Sequence, residues 1–356
     1  MEEKSSQNVL KFPAGFLWGT ATSAHQVEGD NFSNDWWEWE AAGKNPPSGQ
    51  AANQYHLYQA DFDLIKQMNN NAHRLSLEWS RIEPEEGQWD LKAIEHYKKI
   101  LAALKERQIK IMLTLHHFTN PLWLAKKGGW ENKETPRLFG RFVEMVAKNF
   151  GKEVDFWITL NEPLLYATQS YLVGVWPPGK KSFRCFWQVI KNLIKAHKIA
   201  YEILHKNLDS QSKKVQVATA QNVASFPRSH LSFFNYFIYP FIAYFWNHWF
   251  FKKTRRYHDF LGLNYYFHYR LKIGLKGIKL VDPKHLGLET SEIGWEIYPE
   301  GLKKIVLEFK KYQVPIYITE NGIATNKEDQ RANYLISYLT KLHGAIKQGA
   351  DVKGYF

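Results

Sequence analysis

Phe156-Trp157-Ile158-Thr159-Leu160-Asn161-Glu162-Pro163 and Val314-Pro315-Ile316-Tyr317-Ile318-Thr319-Glu320-Asn321-Gly322 share one design. In each, a short apolar run with strand character ends on a glutamate. A carboxylate at the mouth of a buried strand is costly to desolvate unless something uses it. Two of them, placed alike but 158 positions apart, point to one site built from two distant strand ends.

Working outward from these stretches, strand and helix signals alternate along the chain. Apolar or β-branched runs occupy 16–21, 72–77, 110–115, 156–160, 215–220, 260–264, 316–319 and 352–356. Between them lie amphipathic helical patterns with spacing near 3.6, marked by Leu57, Phe62, Ile65 and Met68, then by Ile94, Tyr97, Ile100, Leu101 and Leu104, then by Leu138, Phe142, Met145, Val146 and Phe150. Further patterns cover about 186–206, 299–312 and 330–347. Alternation repeated eight times predicts an α/β fold, a (β/α)8 TIM barrel. No Gly/Ser/Pro-rich linker divides residues 1–356, so a single catalytic domain is expected. An open doubly wound sheet would bring a Gly-rich loop after the first strand; here Thr22-Ser23-Ala24-His25-Gln26 stands there, and no Walker-type loop occurs.

Composition narrows the function. The 356 residues are 44% hydrophobic and 23% charged, ordinary for a globular protein. The 14 Trp, 19 Tyr and 23 Phe suit either a large core or a cleft of flat faces on which sugar rings stack. The net charge of +12 reads as Lys and Arg spread along the chain with acids interleaved, which argues against nucleic acid as a partner. One cysteine, Cys185, excludes an internal disulfide framework, and the polar N-terminus lacks an apolar stretch of signal length. A cytoplasmic protein is the expectation.

Two places break the regularity. Residues 231–251 (LSFFNYFIYPFIAYFWNHWFF) carry no charge and have about the length of a membrane span, but Pro240 interrupts them, and Asn235, Asn247 and His248 would be costly in lipid. Packed outer-barrel helices are the main reading; a membrane-surface or subunit contact is the lesser one. The eighth strand signal, Val352–Phe356, has no helix after it. The barrel is therefore expected to be incomplete at that end, with apolar surface near its first and seventh helices covered by a second copy in a homo-oligomer or by the 231–251 segment.

The C-terminal strand ends, where such barrels do their chemistry, deliver Gln26, Arg74, His116, His117, Asn161, Glu162, Asn264, Tyr265, Tyr266 and Glu320. Amides, imidazoles, a guanidinium, phenols and two carboxylates suit a neutral polyhydroxylated ligand. Two carboxylates facing one bond are the basic equipment for cleaving a glycosidic linkage. Metal binding is the rival use of His and Glu. The tandem His116-His117 points its side chains to opposite faces, and no Cys cluster or His-Glu-x-x-His helix is present, so no metal is expected.

Phe12-Pro13-x-Gly15-Phe16-x-Trp18-Gly19-x-Ala21-Thr22-x-x-x-Gln26-x-Glu28-Gly29 resembles the N-terminal signature of glycoside hydrolase family 1, the β-glucosidase family. Arg74–Arg81 (RLSLEWSR), Thr159–Pro163 (TLNEP), Asp259–Tyr266 (DFLGLNYY) and Ile318–Gly322 (ITENG) are similar to further motifs of that family, in the family's order. The resemblance implies a retaining β-glycosidase that removes terminal non-reducing β-D-glucosyl, or β-galactosyl or β-fucosyl, residues from a β-glucoside or small oligosaccharide without a cofactor. It implies Glu162 as acid/base and Glu320 as nucleophile, with Gln26, His117, Asn161 and Tyr266 binding the sugar. Arg74, Asn264 and Tyr266 would tune the nucleophile, and Trp123 and Trp295 would line the site.

The chain also departs from the family pattern. Phe118-Thr119 stands where a Trp-Asp pair is usual, and the stretch between the fourth and sixth strands is shorter. The family's eighth strand continues into a Trp-Ser-Leu-x-Asp-Asn-x-Glu-Trp type segment that holds far-side sugar hydroxyls, whereas the sequence ends at Phe356. A pared-down sugar subsite is therefore expected. The competing expectation is a catalytically weak barrel that binds saccharide or another flat ligand.

Overall fold

Strands with no polar face need cover on both sides, and eight of them obtain it by closing on themselves. The computed structural model describes residues 9–210, 214–226, 233–274 and 277–356. Its strands are β1 (Leu17–Ala21), β2 (Ala72–Ser76), β3 (Lys110–His116), β4 (Phe156–Asn161), β5 (Val217–Asn222), β6 (Leu261–Asn264), β7 (Ile316–Glu320) and β8 (Val352–Tyr355). Each pairs in parallel with its sequence neighbours, and β8 closes the ring on β1. The outer layer comprises α1 (Gln54–Gln67), α2 (Leu91–Glu106), α3 (Thr135–Phe150), α4 (Phe183–Leu208), α5 (Phe233–Tyr244), α6 (Pro299–Phe309) and α7 (Glu328–Lys347).

The predicted strands are present. β5 begins two residues later than its apolar character suggests, because the Asp209 carboxylate takes the Val215 N–H (2.9 Å) before the ladder starts. The helices begin where the sequence supplies partners for their free amides. Asp90 accepts from the N–H groups of Lys92 and Ala93 at the start of α2, and Ser182 caps α4 through Cys185. Along α3, Leu138, Phe139, Phe142, Val143, Val146 and Phe150 are buried against the barrel wall. Each such side chain contributes about 1.5–3 kcal/mol relative to exposure.

Strand alternation sorts the rest. Leu113, Trp157 and Val217 pack outward beneath α2–α4, and Leu263, Ile316 and Ile318 beneath α6 and α7. Met112, Ile158, Ala218, Phe260 and Tyr317 form an interior cluster with Ala72 and Phe356. Nearer the strand C-termini the chemistry inside turns polar, with Arg74 hydrogen-bonded to Thr114 and Asn161, and Thr319 to Asn264. The apolar plug below gives that polar layer a dry floor.

The 231–251 stretch, apart from residues 231 and 232, which lie outside those described, forms α5, a wider π-helical turn Phe245–Trp249 and a last short helix Phe250–Thr254. Two of its polar residues, Asn247 and His248, face the barrel. Asn247 bonds the backbone of Ala224 in both directions (3.0 and 2.9 Å), and His248 meets Glu308 and Tyr312. Among the described residues no helix is long and apolar enough to cross a membrane. The segment lies between α4 and α6, so it does not cover the surface near α1 and α7, contrary to that expectation. Leu57 and Leu64 on α1, Met68 just after it and Ile336 on α7 are exposed. The distance in sequence to β6 ties the segment to the fifth position of the barrel, far from β8.

One close approach links a helix to the site. Gly301, in the first turn of α6, sits where a Cβ would overlap the hydroxyl of Tyr265, which donates to Tyr298 O (3.0 Å). Ala improves helix propensity by about 1 kcal/mol, but overpacking costs about 1–3 kcal/mol. Gly301→Ala is therefore expected to lower stability in urea unfolding, and Tyr265→Phe in the same chain to restore part of the loss.

Candidate active site

Both opening glutamates follow irregularities in the ladder. Ile158 pairs with Ala218 but Asn161 with Ala220, so β4 holds one extra residue just before Glu162. Leu263 pairs with Ile318 but Asn264 with Glu320, which puts an extra residue into β7. Such bulges re-aim a side chain. Glu162 itself takes the left-handed conformation (φ 45°, ψ 53°), uncommon outside glycine. Its N–H donates to Ala220 O (2.7 Å), and Pro163 opens the short helix Pro163–Ala167 directly after it.

Arg74 ties the two carboxylates together. Buried to 1% exposure, it donates through Nε to Thr114 Oγ1 (3.1 Å), through Nη1 to Thr319 O (3.2 Å) and Glu320 Oε1, and through Nη2 to Asn161 Oδ1 (2.7 Å). The Tyr266 hydroxyl donates to the other Glu320 oxygen (2.6 Å). Glu320 thus has a cation on one oxygen and a phenol on the other. Burial and the charge of Glu320 hold the Tyr266 phenol well above its ordinary pKa, so it stays a donor.

Glu162 has neutral partners only. Asn264 Nδ2 (2.8 Å) and Asn222 Nδ2 (3.2 Å) both donate to its Oε1. Burial, and then the negative charge of Glu320, push its carboxyl up to about 8. Asn264, expected to tune Glu320, therefore serves Glu162, because the bulge in β7 carries Glu320 past it while Thr319 Oγ1 holds its Oδ1 (2.6 Å). Asn222 is oriented in turn by Trp246 Nε1–H, which donates to Asn222 Oδ1 (3.2 Å). Neither Asn222 nor Trp246 was singled out from the sequence. β5 carries no motif, and Trp246 lies hidden in the aromatic run.

Asn161 Nδ2 donates to His117 Nε2 (3.2 Å), which leaves the His117 proton on Nδ1, an atom shut from solvent and without a partner. Burial and Arg74 hold this imidazole well below its ordinary pKa, hence neutral. Its neighbour His116 turns the other way, to Asn120 (3.1 Å) and Trp130, as the tandem predicts.

These groups open into a cleft of about 1080 Å³ lined by Gln26, His117, Asn161, Glu162, Tyr266, Trp295 and Glu320 among others. Phe118, Trp176, Phe267, Tyr269 and Phe356 add flat or apolar faces. Trp295 packs against Phe267 (4.6 Å) and Tyr266 (5.6 Å). Trp123 is not at the cleft. Its N–H donates to Glu83 O (2.9 Å) and its ring meets Trp79 edge-on, because the turn after β3 directs it into the barrel's outer packing. On the far wall, Arg270 grips the buried Glu296 with two bonds (2.7 and 2.9 Å) beside His268. No motif signals that group in the sequence. Among the described residues no cluster of three or more His, Cys, Asp or Glu is placed to hold a metal ion.

The model of the family "Glycosyl hydrolase family 1" matches residues 8–233 and 251–356. Beta-glucosidase A of Thermotoga maritima is 30% identical over 399 residues, covering 98% of this chain and 89% of that protein. Among solved structures, a beta-glycosidase from Pyrococcus horikoshii superposes with a TM-score of 0.90 at 35% identity, covering 98% of this chain and 85% of that one. A beta-glucosidase from Thermotoga maritima in complex with castanospermine gives 0.88 at 29% identity, covering 98% and 89%. The matched family, the closed barrel and the paired carboxylates agree: the chain belongs to glycosyl hydrolase family 1 and is a glycoside hydrolase.

Proposed function

We propose that this chain is a retaining β-glycosidase that removes terminal, non-reducing β-D-glucosyl residues, with β-galactosyl and β-fucosyl residues as related substrates. Glu320 attacks the anomeric carbon and forms a covalent glycosyl-enzyme. Glu162 protonates the leaving oxygen and afterwards takes a proton from the attacking water. The observation that carries this reading is the unequal dressing of the two carboxyls. Glu320 receives a guanidinium and a phenol. Glu162 receives only two amides, on a single oxygen, and its carboxyl is pushed up to about 8. At neutral pH the proton therefore resides on Glu162, and with Oε1 occupied as an acceptor it sits on Oε2. Gln26, His117 and Asn161 line the cleft with amide and imidazole groups suited to sugar hydroxyls, and Trp295 gives it a flat wall. That iminosugar-type ligands occupy related structures, castanospermine among them, agrees with a sugar-shaped site.

Assay on an aryl β-glucoside and an aryl β-galactoside is expected to show turnover that falls by at least about a thousandfold in Glu320→Gln. The first sugar released, followed by proton NMR, is expected to be the β-anomer. Equal slow rates for wild type and variant would leave only a saccharide-binding barrel, and a first-formed α-anomer would mean inversion.

The pH dependence has a definite sign. The acid must be protonated, so kcat/KM is expected to fall as pH rises through about 8. Because Glu320 raises this pKa, Glu320→Gln is expected to move the Glu162 titration downward, read from its carboxyl band in the infrared. Stability follows the same group. With the folded pKa above the unfolded one, its contribution is whole below the unfolded value and is lost as pH rises through about 8. Glu162→Gln is therefore expected to flatten the loss of stability between pH 4.5 and about 8 in urea titrations.

Trp246→Phe keeps a ring but removes the N–H that orients Asn222. A bond of this kind is worth about 0.5–1.5 kcal/mol, so a loss of about three- to tenfold in kcat/KM is expected for glycosides with poor leaving groups. Dinitrophenyl glycosides, which leave without protonation, are expected to be nearly unaffected. Equal loss on both would mean that Trp246 has only a packing role.

A further inference from the structure

Between residues 180 and 256 the sequence holds 14 Lys and Arg against two Asp or Glu. That excess of +12 equals the formal net charge of the whole chain, so the remaining residues balance to zero. The expectation of evenly spread basic residues therefore fails over this tract. In the fold the tract includes α4, α5 and the helical extension of α5, and the extension packs against α4. Trp187 of α4 meets Phe245 at 5.8 Å and Trp249 at 5.4 Å, and Phe183 meets Trp187 at 5.8 Å. On their outer side, large apolar rings face solvent: Phe241 is 75% exposed, Phe183 64% and Tyr244 39%. Phe241 lies one turn before Phe245, on the same helical side. Cations frame these rings. Lys252 sits over Tyr244 and Lys253 over Trp249, each at 5.7 Å, and Arg255, Arg256 and Arg184 are exposed nearby.

The inner side of the same helix is already committed to the barrel through Trp246, Asn247 and His248. The exposed rings have no such assignment. Residues 234–250 also lie outside the stretches matched by the family model. Of the acids near this flank, Glu308 is engaged with His248, Asp209 with His205 and Lys214, and Asp259 with His205, while Glu202 is exposed on α4.

We propose that this flank docks on an anionic lipid surface. Phe183, Phe241 and Tyr244 enter the headgroup region, and the surrounding Lys and Arg side chains meet lipid phosphates and carboxylates. Charge complementarity selects this occupant. A positively charged face with projecting aromatics matches an anionic interface, where rings settle at headgroup depth and cations gain from the surface potential. Contact is peripheral, since no described helix spans a bilayer. The gain falls off within about 8–10 Å at physiological salt, so binding is salt-sensitive.

The test is co-sedimentation of the full chain with vesicles of phosphatidylcholine alone and of phosphatidylcholine mixed with phosphatidylserine, at low and high salt. Binding is expected to be roughly tenfold stronger on the mixed vesicles and to be lost at high salt. Phe183→Ser with Phe241→Ser is expected to weaken it several-fold, with unchanged thermal unfolding and unchanged hydrolysis of a soluble aryl glucoside. Lys252→Glu with Lys253→Glu is expected to weaken it on mixed vesicles only. Equal binding to both vesicle types, or no effect of the Phe substitutions, would overturn the proposal. Equal retention on duplex DNA in a competition with the mixed vesicles would also overturn it, by reducing the flank to a general polyanion binder.

Discussion

A single guanidinium organises the mouth of this barrel. Arg74 projects from β2 into a space walled by β3, β4 and β7, and each of those strands meets it with an acceptor. A buried cation is tolerated only when its hydrogen bonds are made and an opposite charge is near. Both conditions are met inside the barrel, so the closure of the strands and the placement of the charge depend on each other. From Arg74 the order propagates outward. Asn161, fixed through its Oδ1, presents its amide to His117 and also accepts from Asn264, whose amide reaches Glu162. Two carboxyls that began as equivalent strand-end residues are thereby made chemically different. One is bound to the cation directly, and the other only through neutral amides.

The regular barrel alone would not achieve this. In parallel strands of strict alternation, a residue's face is fixed by its position, and a one-residue slip moves it to the other face. The extra residue in β4 and the extra residue in β7 make that slip locally, at the last step before each glutamate. The left-handed backbone at Glu162 is part of the same device, since the chain must turn sharply there to enter the helix that begins at Pro163. Strained backbone of this kind persists where neighbouring structure over-determines it, and here the ladder bond from Glu162 N–H to Ala220 O holds one side of the turn.

This explains what the sequence could reveal. Strand positions, helix faces and the two glutamates were legible because they follow from hydrophobic period and from the cost of burying carboxylates. Arg74, Asn161, His117 and Tyr266 came with recognisable motifs and meet in the site. Asn264 was placed at the correct strand end but assigned to the wrong carboxylate, since a bulge is a register event and leaves no compositional trace. Trp123 was misplaced for a related reason: a tryptophan after a strand end can turn toward the cleft or under it, and only the loop decides. Asn222, Trp246 and the Arg270–Glu296 pair were not legible at all, because each acquires meaning from a partner more than twenty residues away.

The aromatic run between β5 and β6 shows how one helix can satisfy two environments. Its polar residues looked anomalous in an apolar stretch of near-membrane length. Asn247 and His248 are instead the groups that fasten it to the barrel, and Trp246 reaches the amide that supports Glu162. The same segment also buries Tyr239, Phe250 and Phe251, and leaves Phe241 and Tyr244 facing outward. The two exposed rings gain nothing from water. Lys252, Lys253, Arg255 and Arg256 beside them match the anionic surface proposed for this flank. One segment thus reaches both ways, with Trp246 holding the Asn222 amide beside Glu162 on one side and Phe241 and Tyr244 exposed on the other.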